Sequence, residues 1–150
     1  MSEIWKPNVT VATLVECEGK LLLVEEETED GLRFNQPAGH LEAGESLVEG
    51  AIRETLEETG YLVRPEYLVG VYRWDHRAKQ RVYLRFAFAA SVVQHEAFRP
   101  LDTGIVRALW LDDAELIAAA ARFRSPMVAR CIADYRAGRH HGLDLLHDLG

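Results

Sequence analysis

The spacing of apolar residues changes along the chain between the alternation typical of strands and the wider repeat of helices. Short segments rich in aliphatic and aromatic residues, each bounded by turn-forming residues, predict strands. They are residues 8–16, 21–26, 33–38, 61–63, 67–74, 81–93 and 105–111, of which 81–93 is the longest. The first two flank Glu18-Gly19-Lys20 and are expected to form a hairpin. Arg64-Pro65 is expected to interrupt the chain between two strands, because proline cannot donate to a sheet ladder.

Three segments begin with a helix-start signal. In the first two, the side chains of Ser46 and Asp112 can cap free N–H groups, and Ser125-Pro126 opens the third, with proline at the first turn where it is tolerated. Ser46 and Asp112 are each followed three residues later by Glu, the pattern of a capping box. The first helix is expected to end at Gly60, the second near residue 123 and the third near residue 137. The apolar stripe expected on the first helix consists of Leu47, Val48, Ala51, Ile52, Thr55 and Leu56.

These elements run in the order hairpin, short strand, helix, several strands and two helices. A sheet covered by helices buries the apolar face of each element. The sequence therefore predicts an α/β sandwich with a mixed β-sheet between helices. At 150 residues, a single domain spanning residues 1–150 is expected.

Composition narrows the classes of function. The net charge of −7 argues against binding to nucleic acid backbones. No apolar run is long enough for a membrane span, and the N-terminal MSEIWKPN has no signal-peptide pattern, so a cytoplasmic location is expected. Cys17 and Cys131 are too few for a disulfide framework or a zinc site and are expected to be buried, reduced thiols.

The first helix carries an unfavourable cluster of acids near its C-terminal end. At about 100° per residue, Glu54, Glu57 and Glu58 fall within roughly 100° of one another on the helix surface. Like charges four residues apart repel, and the helix dipole disfavours negative charge at this end. Arg53 can neutralise only part of this charge. A hard divalent cation such as Mg²⁺ takes oxygen ligands and would turn the repulsion into binding. Gly50, one turn earlier, is expected to leave room for a metal-bound ligand.

The spacing of these residues resembles the Nudix box. The fixed positions of that motif are here Gly39, Glu45, Arg53, Glu54, Glu57, Glu58 and Gly60. At about 7% usage per residue type, seven such positions coincide by chance in about one window in 10⁸. The resemblance implies a Nudix-type α/β/α sandwich. It also implies a magnesium-dependent hydrolase of pyrophosphate linkages in nucleoside diphosphate derivatives, with Mn²⁺ as a substitute ion.

The same resemblance implies roles for individual residues of the box. The metal ligands would be the carboxylates of Glu54, Glu57 and Glu58 and the carbonyl oxygen of Gly39. Arg53 and Glu45 are expected to orient these acids. Phosphoryl transfer depends on charge neutralisation and positioning, and one carboxylate would take the proton of the attacking water. The candidates for this base are Glu54 and Glu58, with Asp102 and Glu96 of the later loop as alternatives.

Residues outside the box are candidate contacts to a phosphorylated substrate. Arg33, Arg81 and Arg85 are candidates to hold phosphate, because a guanidinium makes bidentate contacts to it. Asn35 and Gln36 are expected either to cap the loop backbone or to contact the ligand. The aromatic residues that are candidates to stack on a ring are Phe34, Tyr72, Trp74 and Tyr83, with Trp74 preferred. The acidic run 25–30 is expected to be mainly a solvated loop, with a role beside the metal as the alternative.

The similarity to one subgroup of bacterial Nudix phosphatases extends beyond the box. The matching segments are NVTVATLV, FNQPAGHLEAGESLVEGAIRETLEETG, LRFAFA and RSPMVARCIADYRAG. This similarity implies a broad hydrolase of nucleoside tri- and diphosphates, active also on hydroxymethylpyrimidine pyrophosphate, a thiamine-pathway intermediate. Two alternatives stay open: a Nudix hydrolase of ADP-ribose or dinucleotides, and a non-catalytic domain that senses a nucleotide. The partner expected is a small phosphorylated molecule, and the chain is expected to be a monomer or homodimer.

Overall fold

The computed structural model describes residues 2–150 and contains, within them, seven strands and three α-helices. The strands are β1 (Asn8–Cys17), β2 (Lys20–Thr28), β3 (Gly31–Asn35), β4 (Ala38–His40), β5 (Tyr61–His76), β6 (Arg81–His95) and β7 (Ile105–Leu111). The helices are α1 (Leu47–Thr59), α2 (Asp113–Ala119) and α3 (Pro126–Arg136). Most of the predicted elements are therefore confirmed.

Strand β1 joins two sheets. One of its edges pairs in parallel with β6, and the other pairs antiparallel with the short β4. Strand β5 extends this sheet by pairing antiparallel with β6, which makes it a mixed sheet. Beyond the hairpin at the end of β1, β2 pairs antiparallel with both β3 and β7. The parallel pair β1–β6 needs a long crossover, and α1 lies within it.

Helices cover both faces of the mixed sheet. Ala51 of α1 packs with Val11 and Phe88 on one face. Cys131 of α3 packs with Ala12 and other small residues on the opposite face. The predicted sandwich of helix, mixed sheet and helix is therefore confirmed. No helix within residues 2–150 is long and apolar enough to cross a membrane.

The predicted helix caps are present. The Ser46 hydroxyl accepts a hydrogen bond from the Glu49 N–H, and the Glu49 carboxylate accepts one from the Ser46 N–H, both at 3.1 Å. Gly60 ends α1 in the left-handed region at φ 78°. Asp112 caps α2 with the same reciprocal pair of bonds to Glu115, whereas the Ser125 hydroxyl at the start of α3 accepts a single hydrogen bond from the Met127 N–H. Local side-chain chemistry therefore fixes where each helix starts.

Three predictions about strands are wrong. Strand β5 runs without interruption through Arg64-Pro65, and at 16 residues it is longer than β6 at 15. The register of β5 against β6 shifts between Pro65 and Tyr67, and β5 lies at the edge of the sheet, where proline is tolerated. The predicted strand 33–38 is divided into β3 and β4, with Gln36 and Pro37 between them.

Two predictions about burial also need correction. Of the six residues predicted for the buried stripe of α1, only Ala51 and Thr55 are buried, and the other four are half-buried. Glu54 and Glu58 are buried as well, so the buried face is more acidic than predicted. Cys131 is buried as expected, but Cys17, which ends β1 at the hairpin turn, is exposed.

Candidate active site

The candidate active site lies where β4 passes the acidic end of α1. Gly39 of β4 is so close to this helix that a Cβ atom built on it would lie 2.2 Å from Cδ of Glu54. Real Cβ atoms essentially never approach other atoms to less than 3.0 Å. Glycine at this position therefore creates the space that the Glu54 carboxylate occupies.

Glu58 lies beside Glu54 on the same buried face of α1. Its Oε1 atom accepts a hydrogen bond of 2.9 Å from the backbone N–H of Ala38. Burial raises the pKa of Glu58 to about 9, and the charges of Glu26, Glu54 and Asp102 act in the same direction. Burial also raises the pKa of Glu54, against the opposing effect of Arg53. Both carboxyls lie where added positive charge would favour their ionised form.

A loop between β6 and β7 brings a fourth acid to this place. The backbone N–H of Asp102 donates a hydrogen bond of 3.0 Å to the carbonyl oxygen of Glu57 in α1. One carboxylate oxygen from each of Glu54, Glu57 and Asp102 lies within 4.8 Å of the other two. Of the two acids predicted as alternatives in this loop, Asp102 therefore joins the cluster. Glu96 instead pairs with Arg99 at 3.0 Å.

Arg53 connects the acids of the box. Its Nε and Nη2 atoms donate to the two oxygens of Glu45 at 2.9 and 2.7 Å. Its Nη1 atom donates to Glu54 at 2.8 Å and to Glu57 at 3.2 Å. A guanidinium has a rigid set of donors, so this arrangement fixes the orientation of the acids it contacts. Glu45 therefore holds Arg53 but is not a member of the carboxylate cluster of Glu54, Glu57 and Asp102.

The prediction that Gly50 leaves room for a metal-bound ligand is wrong. A Cβ atom at Gly50 would lie 2.9 Å from Oε1 of Glu45 and 3.1 Å from a methyl carbon of Leu41. The space above Gly50 is therefore taken by the carboxylate that holds Arg53, and not by a ligand of a metal.

The donor set of the cluster fits a hard divalent cation. Every side-chain donor in it is a carboxylate oxygen, the ligand type that Mg²⁺, Mn²⁺ and Ca²⁺ share. Gly39 leaves the Glu54 carboxylate directly against the backbone of β4. Glu58, whose pKa burial raises to about 9, forms no ion pair with any of residues 2–150, and a bound cation would supply the missing positive charge.

A cavity of about 460 Å³ opens beside these acids. Six of the nine candidate substrate contacts line it, namely Arg33, Asn35, Trp74, Arg81, Tyr83 and Arg85, together with Gly39, Glu54 and Glu58. Gln36 does not line it. Gln36 is 1% exposed, and its amide donates to the carbonyl oxygen of Val128 and accepts from Arg85. Gln36 therefore positions Arg85 and has no surface to offer a ligand.

One wall of the cavity is aromatic. Trp74 stacks on His76 with ring centroids 4.3 Å apart and on Tyr83 at 5.6 Å. The other two aromatic candidates lie elsewhere. Phe34 belongs to the core under α2, and the Tyr72 hydroxyl donates to Asp134 of α3 at 2.8 Å.

Sequence reasoning missed several residues that line the cavity. They include Thr10, Glu26, Lys79, Arg124 and Ser125. Glu25 and Glu26 lie in the predicted strand and in the acidic run that was expected to be mainly solvated, but β2 extends to Thr28 and both are buried. Alternation within β2 places Glu26 beside Asn35 of β3, whose amide donates to it at 3.3 Å. The one available signal was that this acidic run directly follows a strongly apolar strand.

The comparisons with known proteins agree with this geometry. A family model described as the NUDIX domain matches residues 5–131. This chain belongs to the Nudix family. It is 42% identical over 145 residues to the protein named Phosphatase NudJ of Escherichia coli K12, covering 97% of this chain and 94% of that protein.

Solved structures support the assignment of this chain to the Nudix family. A NUDIX hydrolase from Nitrosomonas europaea is 49% identical, with a TM-score of 0.93 and coverage of 95% of this chain and 97% of that chain. A UDP-X diphosphatase superimposes with a TM-score of 0.74 at 21% identity, over 93% of this chain and 68% of that one. The second likeness shows the shared fold alone. The chain is therefore a Nudix hydrolase that acts on phosphoric anhydrides.

Proposed function

We propose that this Nudix hydrolase is a magnesium-dependent phosphatase of nucleoside tri- and diphosphates. Hydroxymethylpyrimidine pyrophosphate is a further substrate in this proposal, and Mn²⁺ is a substitute ion. The observation that carries it is the carboxylate cluster of Glu54, Glu57 and Asp102 at the edge of an aromatic and cationic cavity. Likeness to a protein named Phosphatase NudJ over nearly the whole length supports the same activity.

The residues proposed to hold the metal surround the end of α1. They are Glu54, Glu57 and Glu58, with the carbonyl oxygen of Gly39 and, from the later loop, Asp102. A bound Mg²⁺ would neutralise phosphate charge and lower the pKa of a coordinated water. Arg53 fixes the orientation of two of these carboxylates through bonds of 2.8 and 3.2 Å. Glu45 in turn holds Arg53, so the box acids are positioned before the substrate binds.

The attacking water must lose a proton, and the acceptor is Glu54 or Glu58. Both carboxylates are buried, line the cavity and face the proposed metal position. Replacing each by Gln separates their roles. Because both are also proposed metal ligands, either change is expected to weaken Mg²⁺ binding. At saturating Mg²⁺, kcat should recover where only a ligand is lost and stay low where the proton acceptor is lost.

The cavity is proposed to hold the substrate by two kinds of contact. The stacked rings of Trp74, His76 and Tyr83 offer a surface for a base or pyrimidine ring, because stacking tolerates different rings. Arg33 lines the cavity and forms no ion pair with any of residues 2–150, which leaves its charge for phosphate. We place the enzyme in the cytoplasm as a monomer or homodimer.

The decisive experiment is a substrate panel with Mg²⁺ and identification of each product. Nucleoside tri- and diphosphates and hydroxymethylpyrimidine pyrophosphate are expected to release orthophosphate, and reaction in ¹⁸O-labelled water identifies the phosphorus attacked. Glu57→Gln is expected to abolish turnover, and Glu96→Gln, a loop acid outside the cluster, is the matched control. Faster turnover of ADP-ribose or dinucleotides would favour the other hydrolase. Binding of nucleotides without any turnover would favour a sensor.

A further inference from the structure

Arg85 of β6 is a buried cation without an acidic partner. It is 4% exposed. Its Nη1 atom donates to the amide oxygen of Gln36 at 2.8 Å, and Nη2 donates to the amide oxygen of Asn35 at 3.1 Å. Its Nε atom has no hydrogen-bond partner within residues 2–150, and no carboxylate of these residues forms an ion pair with it.

None of the three buried acids that line the cavity is paired with Arg85, and Glu58 accepts instead from the backbone N–H of Ala38 at 2.9 Å. Glu26 accepts from Arg124 at 2.6 Å and from the Asn35 amide at 3.3 Å. Glu54 is paired with Arg53 at 2.8 Å. The Cys131 thiol lies beside Arg85, but burial raises its pKa, so it does not supply a negative charge. A buried charge is strongly unfavourable unless it is paired. The charge of Arg85 is therefore balanced by none of these neighbours.

A second unpartnered polar atom lies next to Arg85. Thr10 of β1 is the register partner of Arg85, and its hydroxyl, in a residue 6% exposed, has no hydrogen-bond partner among residues 2–150. Register partners on adjacent strands project from the same face of a sheet. Both residues line the cavity of the candidate active site. Two buried, unsatisfied polar side chains thus meet at one place in its wall.

This place lies on the same sheet as β4, the strand that carries Gly39 of the proposed metal site. Thr10 pairs with Arg85 on one side and with His40 on the other, so Arg85 is two strands away from the residue after Gly39. At about 4.8 Å between strands, the Cα atoms of Arg85 and His40 are about 10 Å apart. Asn35 at the end of β3 and Gln36 between β3 and β4 hold the guanidinium through their side chains. A single phosphorylated molecule can therefore contact both places.

We propose that Arg85 and Thr10 form the inner subsite of the cavity and bind the terminal phosphate of the substrate. This proposal rests on the proposed function and adds the direction in which the substrate lies. The terminal phosphate, which carries the greater charge, meets the buried cation, and the ring meets the aromatic wall of Trp74 and His76. Compounds with a free terminal phosphate are then preferred over compounds esterified at both ends, such as dinucleotides.

The test compares two substrates that differ only at the terminal phosphate. They are a nucleoside diphosphate and the methyl ester of its terminal phosphate. The wild-type enzyme is expected to prefer the free diphosphate by tenfold or more in kcat/KM. Arg85→Gln is expected to remove this preference by lowering kcat/KM for the free diphosphate alone. Arg85→Lys, which keeps the charge, is expected to restore part of it. Arg73→Gln, which removes an exposed arginine of β5, is the control and should leave the preference unchanged.

A purely structural role for Arg85 gives a different result. In that case Arg85→Gln lowers kcat/KM for both substrates by the same factor, and this result overturns the proposal. A wild-type enzyme that shows no preference for the free diphosphate over its methyl ester also overturns it. A binding measurement keeps the test independent of turnover. Calorimetry with inorganic phosphate and no metal is expected to show at least tenfold weaker binding to Arg85→Gln than to wild type. Equal binding would overturn the subsite, whereas normal binding without turnover of any substrate would overturn only the proposed function.

Discussion

Replacing Gly39 by Ala tests whether the close approach of β4 to α1 is what positions the metal ligands. The new Cβ would lie 2.2 Å from Cδ of Glu54, and ordinary contact starts at 3.4 Å. The carboxylate must therefore retreat by about 1.2 Å, since the backbone of a strand is held by its ladder. A misplacement of about 1 Å at a reacting centre costs on the order of 100-fold in rate. That factor corresponds to about 2.7 kcal/mol.

The stability of Gly39→Ala is expected to change far less. The displaced group is the end of a flexible side chain, and the backbone at Gly39 does not have a positive φ, so alanine fits the strand. Loss of the hydrogen bond between Arg53 and Glu54 costs about 1 kcal/mol, and the lower entropy of the unfolded chain returns about 0.4–1 kcal/mol. The melting temperature should thus move by only a few degrees, at about 2–4 °C per kcal/mol.

The assay is phosphate release under kcat/KM conditions, with a calorimetric titration of Mg²⁺ in parallel. Gly50→Ala is the matched control, because its Cβ would meet Glu45 at 2.9 Å and disturb the acids only through Arg53. It is expected to lose less than tenfold in kcat/KM. Wild-type kcat/KM and Mg²⁺ affinity in Gly39→Ala would refute the reasoning, as would an equal loss in both variants.

Two further predictions concern titration and thiol access. Burial raises the pKa of Glu58 from an ordinary value of 4.5 to about 9, so the metal-free folded state binds more protons than the unfolded state between these values. Its unfolding free energy in EDTA should therefore fall as pH rises from 4.5 to 9. Glu58→Gln should flatten this fall in urea titrations, and an unchanged slope would contradict the assignment. A thiol reagent should modify Cys17 rapidly and Cys131 only after unfolding, so two fast thiols per native chain would disprove the burial of Cys131.

The features that the sequence predicts well are those fixed by neighbouring residues. The capping boxes and the left-handed glycine at the end of α1 depend on side chains within a few positions of one another, and all are present. The continuity of β5 depends instead on its place at the sheet edge, where a register shift absorbs Pro65. Neither the shift nor the edge position is visible in the local sequence.

The candidate site divides in the same way. The box predicts Arg53 and Glu54 together with their mutual contact, because they lie on one helix. Asn35 and Gln36 are adjacent amides, and the sequence gives no reason to prefer one as a ligand contact. Only Asn35 lines the cavity, because the Gln36 side chain donates to the carbonyl oxygen of Val128 in α3. Asp102 could be distinguished from Glu96 only by the path of a loop. Tertiary placement therefore decides which polar residues outside the box belong to the site.

The loop that carries Asp102 is anchored by its main chain. Its first residue, Glu96, donates through its N–H to the carbonyl oxygen of Gly60 at 2.8 Å, and Asp102 donates to that of Glu57 at 3.0 Å. Between these anchors Phe98 is 99% exposed. Backbone bonds do not depend on side-chain identity, so the tip around Phe98 can mutate or lengthen during evolution while the carboxylate of Asp102 keeps its place. New recognition elements for larger substrates can thus be grafted there without disturbing the acids.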